Sequence, residues 1–122
     1  WHSTDPSHIS SVKTFETNAF RDTQLYPETE STSMSTAFAH IFQGGYASGY
    51  YSYKWAEVLD ADAFAYFKEN GVFNKDIAKK FKENVLSQGG TKDPMLLYKA
   101  FRGAEPKLDA LLERSGLLKK LA

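Results

Sequence analysis

The sequence predicts an all-α chain of about five helices, one of them long, largely buried and central. Three observations carry that prediction. Apolar residues recur at three- and four-residue spacing, residues that start or stop helices stand at the ends of the periodic runs, and strand-like alternation is almost missing.

The elements follow in chain order. Asp5, Pro6 and Ser7 suit a cap, and Ile9, Val12, Phe15 and Ala19 then recur with helical spacing, so a first helix is expected there. Residues 26–36 contain Pro27 and many hydroxyls, which reads as a loop with helix-starting Ser and Thr near its end. From residue 46 or 47 to about 67 there is no proline, and apolar or aromatic side chains cover most of the circumference. This is the long, largely buried helix, and Gly71 marks its end. Asn74 suits the cap of an amphipathic helix with Ile77, Phe81 and Val85 on one face and lysines on the other. Gly89 and Gly90 stop it. Asp93-Pro94 starts the next helix, with Met95, Leu96, Tyr98 and Phe101 before Gly103. Pro106 opens a last one, with Leu108, Leu111 and Leu112 inward, closed by Ser115-Gly116.

Composition narrows the function. The chain has 122 residues, enough to bury a modest core as one domain. Fifteen Lys+Arg balance fifteen Asp+Glu, so no global field attracts nucleic acid or an anionic membrane, and neither is expected as a partner. No apolar run approaches the roughly 20 residues that span a bilayer. Cysteine is absent, which excludes disulfides and thiolate zinc sites without choosing a compartment. A chain that begins at Trp1 suggests a piece of something longer.

Common catalytic motifs are absent. His2, His8 and His40 are scattered, and there is no HExxH, no GxSxG and no GxxxxGK[ST]. The glycine pairs at 44–45 and 89–90 are weak signals, served equally well by loop hinges and helix caps. Glu57 and Asp60 share a helix face at i, i+3, the spacing for a shared proton or a metal, but Lys54 and neighbouring helices are the more ordinary partners. Asp62, if buried, needs a partner of its own.

The segment FAHIFQGGYASGYYSYKWAEV, residues 38–58, carries more phenols than a core needs, since Phe and Leu give the same burial without a hydroxyl to satisfy. Tyr46, Tyr50 and Tyr53 fall at i, i+4 and i+7, one face if the helix includes Tyr46, and His40 precedes them across Gly44-Gly45. A neutral tyrosine, with its ordinary pKa near 10, donates to a developing oxyanion without carrying charge into a dry site. Packing among themselves is the plain alternative.

These residues also carry a family resemblance. The ordered motifs HIFxGGYAxGYYSYxWAEVL, GG-x-x-DP and FRG-x-EP, over residues 38–117, closely resemble the C-terminal part of the thimet-oligopeptidase family of zinc metallopeptidases. Within it the bacterial peptidyl-dipeptidase and oligopeptidase A branch is nearest, because His40 stands six residues before Tyr46 where the animal oligopeptidases have a shorter HxxGGY form.

The resemblance implies an enzyme that hydrolyses short peptides, with the whole of residues 1–122 a C-terminal helical piece of its catalytic domain. Zinc is then the cofactor of the intact enzyme, held by an HExxH helix and a downstream glutamate that precede this segment. None of those groups is in this sequence, so the chain alone is expected to bind no metal and to be inactive. By motif position, Tyr53 matches the tyrosine that stabilises the tetrahedral oxyanion. Tyr46 matches a second tyrosine near the substrate, His40 a histidine on the substrate backbone, and Gly44 and Gly45 the flexible glycines of a loop that closes on the peptide. The implied partners are short peptides and the upstream catalytic portion of the same protein. A face left uncovered by that portion favours self-association of the isolated chain. The expected compartment is the cytoplasm. The departures are Ala104, where many relatives have arginine, and Lys54, where they have an apolar residue. A non-catalytic helical module that binds peptides or partners is the alternative.

Overall fold

Helices and helical turns order residues 1–118, the part of the chain that the computed structural model describes, and no strand occurs among them. Packing divides the chain into two units, Trp1–Tyr51 and Ser52–Ala122.

In the first unit Asp5 does act as a cap, but only for a single turn, Pro6–His8, where its carboxylate accepts from the Ser7 amide at 2.9 Å. Ile9 is then extended, so the expected continuous helix breaks. Ser11 supplies a fresh cap, accepting from the Thr14 amide at 3.2 Å, and α1 runs over Val12–Phe20. The hydroxyl-rich loop ends in a short helix, α2, Met34–Ala37. Glu16 joins the two. Its side chain, 2% exposed, accepts from Ser33 Oγ at 3.0 Å, from the Met34 amide at 3.0 Å and from the Ser35 amide, and so satisfies donors that the first turn of α2 leaves over. Trp1 closes the same corner, its ring 4.5 Å from that of Phe15 and its indole N–H 2.8 Å from Ser35 Oγ.

The second unit begins with α3, Ser52–Asn70, the long helix expected from the sequence. Its start differs from the expected residue 46 or 47. Gly44 and Ser48 have φ of 61° and 55° and Ala47 has ψ of 121°, conformations no α-helix accommodates. The end agrees: Gly71, at φ 95°, takes the left-handed position just beyond the helix. Asn74 caps α4, Lys75–Phe81, through the Asp76 and Ile77 amides, and the chain continues in a wider helical turn, Lys82–Leu86. Asp93 caps α5, Pro94–Arg102, with proline at its start and Gly103 left-handed at its end. The last helix, α6, is Asp109–Arg114, so Pro106 precedes it by three residues rather than opening it.

The core of this unit is Ala63, Ile77, Tyr98 and Phe101, with Leu59, Tyr66, Phe67, Phe81 and Val85 against it. Phe101, only 1% exposed, is its centre, with the rings of Phe81, Tyr66 and Phe67 at 5.0, 5.4 and 6.0 Å. Burial of α3 is uneven. Within the unit its middle is packed, with Ala61, Asp62 and Ala63 buried, while Tyr53, Trp55 and Phe64 are about half exposed.

Candidate functional site

In the first unit the sequence-predicted residues gather around one loop. Two helical turns, Ala39–Ile41 and Gly44–Tyr46, are closed by the Ser48 amide on the Ile41 carbonyl at 3.4 Å and the Gly49 amide on the Tyr46 carbonyl at 2.8 Å. Gly44 is needed for its backbone: at φ 61° a side chain would be strained although no atom lies within 4 Å of its Cβ position. Gly45 has the same open surroundings and an ordinary φ, so nothing in the loop itself forbids a side chain there.

His40 is brought to Tyr46 and Tyr50, with ring centroids 5.8 and 6.1 Å away, and the two tyrosines are 6.3 Å apart. Phe38 supports the group from below, its ring meeting that of Tyr50 edge-on at 4.6 Å. The expectation that Tyr46, Tyr50 and Tyr53 share one helical face is corrected. Tyr46 and Tyr50 stand in turns before α3, and their proximity comes from the folded-back loop rather than from helical spacing. His40 and Tyr46 are exposed, so the cluster is an open patch of aromatic edges and hydrogen-bonding groups.

Tyr53 lies in the first turn of α3, in the second unit, and is 49% exposed. On the same helix Glu57 pairs with Lys54 at 2.9 Å and Asp60 with Arg114 of α6 at 2.6 Å. The carboxylate pair is therefore engaged in separate ion pairs, the ordinary outcome expected for it. Lys54 is mostly exposed, in keeping with its departure from an apolar residue.

Asp62 has the partner that its burial demands. Its Oδ2 accepts from Tyr98 Oη at 2.5 Å and from Arg102 Nε at 3.2 Å, both on α5. Arg102 also lies 4.5 Å above the Tyr66 ring and 3.7 Å from Glu69. Burial, and then the neighbouring Asp62 carboxylate, push the Tyr98 phenol well above its ordinary range, so it remains a donor. Sequence reasoning flagged Asp62 but missed Tyr98 and Arg102. The signal available was their i, i+4 spacing on a helix following one with a potentially buried acid.

Comparison with known proteins agrees with the motifs. The profile of peptidase family M3 matches residues 1–117. The chain belongs to that family. It is 59% identical over 81 residues, 66% of its length, to oligopeptidase A of Escherichia coli (strain K12). To the dipeptidyl carboxypeptidase of Salmonella typhimurium it is 38% identical over 119 residues, 96% of its length. A probable cytosolic oligopeptidase A of Arabidopsis thaliana is 45% identical over 100 residues, 79% of the chain. The matched parts are 12%, 18% and 14% of those three proteins, respectively, so the chain spans a small share of its relatives. The bacterial relatives are those expected from the spacing between His40 and Tyr46.

Among the described residues no three His, Cys, Asp or Glu side chains converge in a way that would hold a metal ion, and Glu57, Asp60 and Asp62 are each committed to a cationic partner.

Proposed function

We propose that the chain is the C-terminal, substrate-handling part of a zinc-dependent oligopeptidase or peptidyl-dipeptidase, working on short peptides together with an upstream catalytic portion of the same protein. The observation that carries this is the family match over residues 1–117, which includes every residue assigned a role here. The names of the bacterial relatives support the substrate class. The metal and the HExxH that binds it belong to the remainder of the protein, and attack on the peptide is outside what these residues perform.

Their own work is binding and charge stabilisation. Tyr53 donates its phenolic hydrogen to the oxyanion as the tetrahedral intermediate forms. His40 contacts the peptide backbone, and Tyr46 stands beside the bound substrate. The His40–Tyr46 ring proximity supports a joint role for them, and Gly44 and Gly45 give the loop between them its freedom. The cytosol is the proposed compartment, in keeping with the printed name of the Arabidopsis relative above.

The test is the full-length protein with a short internally quenched peptide. Cleavage that a chelator abolishes and zinc restores is the expected result. A full-length sequence without HExxH, or a protein that binds peptides and leaves them intact, would replace this reading with that of a helical binding module.

A further inference from the structure

We infer that Asp62, Tyr98 and Arg102 form a clasp that positions Tyr53, by fixing the rotation of α3 about its own axis. The inference rests on the reading of Tyr53 as the oxyanion donor. It assigns work to a buried acid and to Arg102 of the FRG motif that the proposed function leaves unused.

Within its unit α3 packs on α5 and the core, and also on α6, where the exposed Asp60–Arg114 pair gives little restraint. Tyr53, Glu57, Asp60 and Phe64 recur at helical spacing, Glu57 half-buried and the other three exposed, whereas Leu59, Asp62 and Tyr66 turn toward α5 and the core. Asp62 follows Tyr53 by two and a half turns, so the two stand on opposite faces of one rigid helix. The apolar contacts of Leu59, Tyr66 and Phe67 hold α3 against the core, but such contacts are non-directional and tolerate small rotations.

The Asp62 bonds are directional. One carboxylate oxygen receives Tyr98 Oη at 2.5 Å and Arg102 Nε at 3.2 Å, from donors one turn apart on α5. Arg102 also meets the Tyr66 ring and Glu69, which follow Asp62 at i+4 and i+7 on the same face of α3, so α5 grips that face at more than one point.

The lever is long enough to matter. A tyrosine hydroxyl stands about 9 Å from the helix axis, so a rotation of about 7° carries it about 1 Å, and a misplacement of that size costs up to about 100-fold in rate. Partial loosening by loss of one bond is expected to lower kcat by about 10-fold and to leave KM nearly unchanged.

The experiment is a double-mutant cycle in the full-length protein, with cleavage of a short internally quenched peptide as the assay. Asp62→Asn and Tyr98→Phe are each made with Tyr53 present and in the Tyr53→Phe background. The clasp variants should lower kcat about 10-fold in the first background and by less than about 2-fold in the second, because there the hydroxyl they position is gone. Loss of folded protein would lower kcat equally in both. Equal factors in the two backgrounds, or no effect in either, overturn the inference while leaving Tyr53 as donor. An unchanged kcat for Tyr53→Phe alone overturns the donor reading and this inference with it. Should Asp62→Asn fail to fold, Tyr98→Phe decides, since it removes one hydroxyl and keeps the ion pair with Arg102.

Discussion

Glu16→Gln should loosen the junction between α1 and α2. Both carboxylate oxygens of Glu16 are in use, Oε1 by the Met34 amide and Oε2 by Ser33 Oγ and the Ser35 amide. Glutamine offers one acceptor and one donor. With its oxygen kept on Ser33 and Ser35, its NH2 faces the Met34 N–H, and a donor left unsatisfied in this position costs about 2 kcal/mol. Hydrogen exchange at Met34 in the full-length protein should then quicken by about 30-fold, since 1.4 kcal/mol is about tenfold. The same carboxylate predicts a pH response. The Ser35 side chain, helped by the Ser35 and Met34 amides and the Ser33 hydroxyl, holds it down to about 2 from an ordinary 4.5, against the opposing effect of burial. A depressed folded-state value stabilises above about 4.5, and the stabilisation drains away as pH falls through about 2. The full difference corresponds to about 3 kcal/mol, but the site is shallow, beside exposed Met34 and Lys13, so about 1–2 kcal/mol is the expected effect. A Met34 exchange rate within twofold of wild type, or a Glu16 carboxyl that titrates near its ordinary value by NMR, would refute the reasoning.

Phe101→Ala removes the most buried ring of the second unit and should cost about 3–5 kcal/mol, read as a lower urea midpoint for residues 52–118 by fragment-resolved exchange. Asp60→Asn breaks an exposed pair with Arg114 and should change stability by less than about 1 kcal/mol by the same measurement. The isolated 122-residue chain should take up no stoichiometric zinc by mass-spectrometric metal analysis and should cleave no peptide, because no three of its described side chains converge as ligands.

Much of the second unit was legible in the sequence because its helices carry their own boundaries. Asn74, Asp93, Pro94, Gly71 and Gly103 stand where the structure uses them. The first unit was harder. Asp5 looks like the cap of a long helix, yet its bonds to Ser7 close only one turn, and nothing local distinguishes these outcomes. Residues 46–51 contain no proline and continue the aromatic pattern of α3, so the positive φ of Ser48 and the ψ of 121° at Ala47 were not readable from composition. Glu16 reaches donors seventeen to nineteen residues away, a pairing that no helical period signals. Of the site, the grouping of His40 with Tyr46 was anticipated from the glycine pair between them. That Tyr50 joins them through a turn, and that Asp62 is gripped from α5, are long-range consequences of packing.

The most direct test of the functional account is steady-state kinetics of Tyr53→Phe beside Tyr50→Phe in the full-length protein, with zinc content measured in both. Loss of one donor that acts only on the oxyanion should lower kcat by about 100-fold or more for Tyr53→Phe, with KM hardly moved and zinc retained. Tyr50→Phe keeps the ring that packs on Phe38 and should cost about 1 kcal/mol of stability and little activity. Small and equal losses in the two variants, with zinc intact, would contradict the account and return Tyr53 to a packing role.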